Sequence, residues 1–332
     1  LTQTRHIPVI LVAAGGAPGA DAIVARVVGT ANARDTAVIA AADVAKGALA
    51  QLGCACCRPS SDVKQALFEL WSRRRTREIE AFQRVVIVLD PGADPAPVVM
   101  SLLTPPSSAI ADQIVANQFG LARLITVLDA LADPEVLEAD TPVARQIALA
   151  DAVVVTRDDQ AQDPATARDL ARLCMRTRQL NPTAQILLGP ELERSALQLL
   201  QAGRYEDAAR TIEADGELAP SVPRVAFTSQ LLVLDEPIAP QMAFFLVEAL
   251  KSSPADHVVR VRGLLALADD PARPLVVHGV RHFAQTVDRL AAWPSPDRRS
   301  RLLITGRTPD IAAFRRILSA TTPATTAAAA FA

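Results

Sequence analysis

The chain has little of several things, and each shortage removes a class of protein. It carries four cysteines in 332 residues, so a spaced disulfide framework is excluded and a reducing compartment is favoured. Net charge is also missing: 34 Lys+Arg face 36 Asp+Glu, leaving no global field to gather nucleic acid or anionic lipid. The one basic run (Arg73, Arg74, Arg75, Arg77) is followed at once by Glu78 and Glu80 and reads as a solvated helix face. No apolar stretch approaches the roughly 20 residues that span a bilayer. No charged segment leading into an apolar core opens the sequence, so a signal peptide is not expected and the cytoplasm is the default location.

What is present is an apolar majority with a layered pattern. Half of the residues are hydrophobic, enough for a sizeable core and two domains. Ile7 to Ala14 is a continuous apolar run, as expected of a strand covered on both faces of a parallel sheet. Further strands are predicted at 36–41, 84–89, 124–128, 152–156 and 185–188, with helices at 62–82, 96–103, 141–149, 164–179 and 191–202. Alternation of this kind implies an α/β layered domain with a largely parallel sheet over residues 7–215. A Gly-, Pro- and acid-rich linker follows at 216–223. A small α+β domain is predicted over 224–320, with strands at 225–233, 257–267, 275–280 and 301–305 and helices at 240–251 and 309–319. The Thr-, Ala- and Pro-rich tail 321–332 lacks the apolar surface to fold.

Three of the four cysteines, Cys54, Cys56 and Cys57, stand together in Gly-Cys-Ala-Cys-Cys. Thiolates are soft ligands, and three this close can converge on one metal ion such as zinc, cobalt or copper(I). The competing reading is three small buried side chains, a common fate of free cysteine. The sequence shows no fourth ligand; His278 and His282 read as surface residues, although either is a possible donor from the second domain. Cys174, in a helical pattern, reads as core.

After the first strand comes Ala14-Gly-Gly-Ala-Pro-Gly19, the frame of a phosphate loop, with Asp21 placed to cap the next helix. The lysine that reaches terminal phosphates is Ala20 here, and Asp21 stands where a hydroxyl would hold magnesium. A plain strand-to-helix turn explains the glycines at least as well as nucleotide binding.

The order of these pieces resembles the CobW-type P-loop GTPases associated with metal trafficking. The glycine turn, Gly-Cys-Ala-Cys-Cys, Asp94-Pro-Ala-Pro97, Gln146-Ile-Ala-Leu-Ala-Asp151 and Leu180-Asn-Pro-Thr-Ala184 follow the family's sequence of motifs. Arg260-Val-Arg-Gly263, Trp293-Pro and the stretch 297–307 are similar to its C-terminal domain. The resemblance implies a P-loop NTPase-like domain and GTP-coupled metal delivery. It assigns Gly15, Gly16, Gly19 and Asp21 to the phosphate end, Arg157 and Asp159 to the guanine end, and Cys54, Cys56 and Cys57 to zinc or cobalt.

Departures cluster at the nucleotide. The P-loop Lys and Ser/Thr are gone, and Thr156 and Arg157 stand where the guanine motif has Asn and Lys. Ala41-Ala-Asp-Val-Ala45 replaces a glutamate-bearing switch, and Asp90-Pro-Gly92 follows the third strand as a turn. Phosphoryl transfer needs charge neutralisation by Lys and Mg²⁺, so little or no GTP hydrolysis is expected, GTP and Mg²⁺ binding is in doubt, and no catalytic residue is assigned. The expectation is a chaperone-like metal carrier serving a client metalloprotein, as a homo-oligomer or beside an intact paralogue, without nucleic acid or membrane partners. The alternatives are an active GTP-dependent metallochaperone with a non-standard nucleotide site, and a regulatory pseudo-GTPase paired with such a paralogue.

Overall fold

The structure is a computed structural model that describes residues 6–14, 25, 35–40, 61–189, 199, 226–253, 257–281, 283–307 and 309–319, with only the backbone at 283–288, 318 and 319. Its contacts divide the chain into two compact units, the described residues of the first running to Thr228 and those of the second starting at Ser229.

The first unit is built on six strands: β1 (Ile7–Ala14), β2 (Thr36–Ala40), β3 (Arg84–Val88), β4 (Phe119–Asp129), β5 (Ala152–Thr156) and β6 (Gln185–Leu187). Their order is β2-β3-β1-β4-β5-β6, and every pairing is parallel. Val9 through Ala14 are all buried, as both covered faces of such a sheet require. One core cluster joins Ile10, Val12, Val86, Ile125, Val127 and Val154 across four strands. Because β1 lies between β3 and β4, the strand order reverses beside it. In open α/β sheets the crevice outside the carboxyl ends at such a reversal is where ligands bind.

Five helices accompany this sheet among the described residues: α1 (Asp62–Arg75), α2 (Ala96–Leu103), α3 (Ile110–Gln118), α4 (Pro142–Leu149) and α5 (Pro164–Leu180). The expected helix 62–82 is shorter than its pattern. Ser61 caps its start by accepting the Lys64 amide, and Arg73–Arg75 suit its carboxyl end. It then stops at a Schellman closure: the Glu78 amide donates to Arg73 O (2.9 Å) and the Arg77 amide to Arg74 O (3.2 Å). Arg77 takes the left-handed position with φ 63°, where glycine is the usual residue. Exposed Arg77→Gly should therefore stabilise the unit by about 1 kcal/mol in chemical denaturation, while Arg77→Ala brings no gain. Helix α3 was not expected, and the predicted helix 191–202 lies outside the described residues apart from buried Leu199.

The second unit is α+β. Its five-stranded sheet has the order β10-β9-β8-β11-β7, made of β7 (Thr228–Leu234), β8 (Arg260–Leu265), β9 (Leu275–Val280), β10 (Phe283–Arg289) and β11 (Ser300–Gly306). The pairings β8–β9, β9–β10 and β8–β11 are antiparallel. Helices α6 (Pro240–Ser252) and α7 (Ile311–Ser319) supply Met242, Leu246, Leu250 and Phe314 to a core with Val261, Leu265, Val277, Leu302 and Ile304. The predicted strand 257–267 is trimmed to β8, and β10 was not expected.

Gly263 marks a close approach in that sheet. A Cβ there would sit 1.9 Å from the Arg301 carbonyl oxygen, so only glycine fits. The glycine of Arg-Val-Arg-Gly is a packing requirement between β8 and β11.

Candidate functional site

Gly15, Gly16, Gly19, Asp21 and the cysteines Cys54, Cys56 and Cys57 all lie outside the described residues. What the structure describes is the carboxyl edge of the sheet, where β1 ends at Ala14. The Leu89 amide donates to Val12 O (2.8 Å) and the Gly92 amide to Ala14 O (3.1 Å), pinning the segment after β3 to the end of β1. Asp90-Pro91-Gly92-Ala93 is a turn closed by the Ala93 amide on Asp90 O (3.0 Å), with Gly92 at φ 75°. Pro followed by a positive-φ Gly is the type II signature, and it accounts for these residues as a turn.

The turn after β5, which the resemblance assigns to the guanine base, is described in full. Arg157 follows β5 in the left-handed region, φ 58° and ψ 22°, an uncommon conformation for a residue with a long side chain. Its guanidinium is held by Asp129 at the end of β4, with Nε donating to Oδ1 at 3.0 Å and Nη2 to Oδ2. The hydrogen bond from Asp129 raises the Arg157 pKa above its already high value. Asp129 also accepts the Leu131 amide (3.0 Å). Thr156 turns its hydroxyl onto Leu128 O (3.3 Å). Asp158 accepts the Gly189 amide (3.1 Å), which ties this turn to the chain after β6. Asp159 stands exposed on the short 3₁₀ turn Asp158–Gln160.

Arg157 and Asp159 are thus brought to one turn. Asp129 is the residue that sequence reasoning missed. The strand was expected to stop one residue earlier, and only the parallel register Asp129↔Thr156 shows that this carboxylate faces the guanine motif.

Other motif residues prove to be scaffold. Gln146 donates from Nε2 to Ala93 O (2.7 Å), while its buried Oε1 has no hydrogen-bond partner among the described residues. Asp151 accepts the Leu124 amide (2.6 Å) across to β4. Buried Asn181 donates to Ile147 O (2.7 Å) and Ala150 O (2.9 Å) and accepts from Thr183, so the Leu-Asn-Pro-Thr-Ala turn locks α4 to the sheet. Asp94 caps α2 through the Ala96 amide (2.9 Å) and pairs with Arg145 (3.6 Å). In the second unit, Trp293 donates to Pro271 O, and Asp297 gathers Arg299 and Arg301, which hold its carboxyl down at about 2.

Two lysines are described and neither serves the carboxyl edge. Lys64 is buried against Asp112 in α3 (3.4 Å), and Lys251 pairs with Glu248 (2.6 Å) in the second unit. Cys174 is half-buried rather than core, and burial pushes its thiol pKa up. His278 is not on the surface: it is buried on β9, and burial with nearby Arg260 pushes its pKa down to about 3. His282 lies outside the described residues. Among the described residues no group of three or more His, Cys, Asp or Glu could hold a metal ion, and no helix is long and apolar enough to cross a membrane.

Comparison with known proteins adds the following. The family model described as CobW/HypB/UreG, nucleotide-binding domain, matches residues 21–188, and that of the cobalamin synthesis protein cobW C-terminal domain matches residues 227–322. The zinc chaperone YjiA of Escherichia coli (strain K12) is 24% identical over 246 residues, covering 74% of this chain and 71% of that protein. A crystal structure of the Zn(II)-bound YjiA GTPase from E. coli superposes with a TM-score of 0.66 at 19% identity, over 95% of this chain and 98% of that one. A Zn(II)-bound triple mutant of the same protein gives 0.66 at 18% identity, with the same coverage. The fold is P-loop NTPase-like with an antiparallel C-terminal sheet.

Proposed function

The chain belongs to the CobW/HypB/UreG family, and from that premise we propose that it carries a divalent metal, zinc or cobalt, to a client metalloprotein in the cytoplasm without GTP turnover. Cys54, Cys56 and Cys57 are the proposed ligands, and the ion is cargo. The observation that carries this reading is the Gly-Cys-Ala-Cys-Cys motif in a chain whose phosphate loop has Ala20 and Asp21 in place of Lys and Ser/Thr. The donor set suits the cargo, since three thiolates satisfy a borderline ion while leaving a fourth position for water or a client's ligand. Hand-over then proceeds by ligand exchange at that open position.

Loss of GTP turnover is supported by several facts. The family match begins at residue 21, past the glycine turn. Asp90, the acid next in line for a metal-associated role, belongs to a turn. Lys64 is committed to Asp112. Asp21 would repel phosphate at close range where the intact motif attracts it. A homo-oligomer or a pairing with an intact paralogue is compatible with this role.

Chelator competition on the reduced protein tests the ligand assignment. Cys56→Ser should weaken zinc binding by about a hundredfold or more with an unchanged circular dichroism spectrum. Retained affinity in that variant would return the cysteines to the core.

A further inference from the structure

Helix α6 carries two stripes. One, made of Met242, Ala243, Leu246, Val247 and Leu250, is buried in the core of the second unit. The other is Gln241, Phe244, Phe245 and Glu248, spaced i, i+3, i+4 and i+7, so that all four share one face of the helix. Phe244 is 62% exposed and Phe245 56%. Among the described residues the other exposed large apolar side chains, Val38, Ile110, Leu131 and Met175, stand singly along the chain, which is ordinary for a protein surface. Two adjacent phenylalanines are not. Their rings meet edge to face, with centroids 6.0 Å apart and planes at 68°, and so form a ready-made aromatic unit. Polar residues flank it, Gln241 a turn before and Glu248 a turn after, the latter accepting from Lys251 (2.6 Å). An apolar centre inside a polar rim is the make-up of a contact surface.

We infer that this face of α6 binds the same face of a second copy of the chain, the two helices running antiparallel. The stripe is self-complementary in that direction. Setting Phe244 of one copy against Phe245 of the other also sets Gln241 against Glu248, because both pairs are centred between residues 244 and 245. A twofold axis through that point repeats each contact, as an isologous interface requires. Four rings then pack together between two amide-to-carboxylate hydrogen bonds, since an ionised carboxylate accepts a further donor beside Lys251. A parallel pairing would instead put Glu248 against Glu248, and facing like charges oppose association. Area sets the strength. At these exposures two phenyl rings supply roughly 200–300 Å² per copy, well short of the roughly 800 Å² per partner of a standard stable interface. The dimer is therefore a weak and reversible one.

Sedimentation equilibrium of the full chain, reduced and in chelator so that no metal can bridge two copies, tests this from about 1 to 300 µM. The mass should rise from that of one chain toward that of two, with a midpoint of about 10–100 µM. Phe244→Gln/Phe245→Gln should stay monomeric throughout with its circular dichroism spectrum unchanged, because both side chains are exposed. Gln241→Glu sets a second carboxylate against Glu248 and should weaken the dimer by about fivefold. Gln241→Lys sets a cation there and should tighten it by about fivefold, each change acting twice per dimer.

A monomer at every concentration would overturn the second copy as the occupant of this face. A dimer that persists in the double variant would place the interface elsewhere. One indifferent to both changes at Gln241 would overturn the antiparallel register. Because the contact needs no metal, zinc titration of the same sample reads the metal proposal separately, and either can fail without the other.

Discussion

Lys64→Met is expected to destabilise the first unit by about 3–5 kcal/mol, the largest effect of any single change proposed for this chain. Lys64 and Asp112 are 3% and 0% exposed at their side chains, and Nζ meets Oδ2 at 3.4 Å. That carboxylate also accepts the Ser107 amide (3.2 Å). Removing the lysine leaves a charge buried in a low-dielectric interior, which is where the cost lies; the pair itself is worth much less. The double variant Lys64→Met/Asp112→Leu should therefore recover more than half of the loss. Full recovery is not expected, because the Ser107 amide is left without this acceptor. Urea denaturation of both singles and the double closes the cycle. Additive losses would show that the two side chains do not interact. The site matters beyond stability, since Lys64 sits in the first turn of the helix that begins five residues after Cys57.

The second large effect is a loss of stability in the second unit as the pH falls below neutrality. His278 is buried on β9, across from Arg262 in the β8 register and close to Arg260, and its pKa lies at about 3 against an ordinary 6.5. The cause is burial first and the Arg260 charge second. Below 6.5 the unfolded chain takes a proton that the folded one refuses. The stabilisation is complete above 6.5 and disappears as the pH approaches 3. Over that whole interval the loss is on the order of 4 kcal/mol, and between pH 7 and 5 it is about 2 kcal/mol. His278→Gln should flatten the limb between pH 7 and 5 whatever its effect on absolute stability. A variant with the same slope as the parent would place the titration elsewhere.

The parallel domain was easy to read because a strand covered on both faces has to be apolar throughout. Ile7–Ala14 and Ala152–Thr156 come out with their observed bounds. Failures have local causes. The helix from Asp62 was carried past its end because a Schellman closure is announced by glycine, and here arginine occupies that position. Helix α3 is nine residues long and its N-cap is Ala109, which offers no side-chain cap. His278 was read as exposed because its spacing to His282 is undistinguished on a strand and turn, whereas β9 is buried from Val276 to Val280.

At the site, the motif supplied Arg157 and Asp159, but the partner that fixes Arg157 comes from a strand 28 residues earlier. Pairings between neighbouring strand ends depend on register, and no local pattern carries register. The same holds for Gln146, Asp151 and Asn181, which read as motif residues and act as scaffold, Gln146 at the carboxyl edge and Asp151 and Asn181 at the opposite edge, where α4 ends and β5 begins. Gly-Cys-Ala-Cys-Cys stands out in the sequence because its residue types have few structural uses in such density, and it lies outside the described residues.

The measurement that bears most directly on the proposed metal carrier with a silent nucleotide switch is zinc affinity by chelator competition, with and without Mg²⁺-GTP, on reduced protein. Tight binding that moves by less than about twofold when GTP is added is the expected result. A shift of about tenfold or more would show two sites still coupled through a working phosphate loop, and would contradict the account.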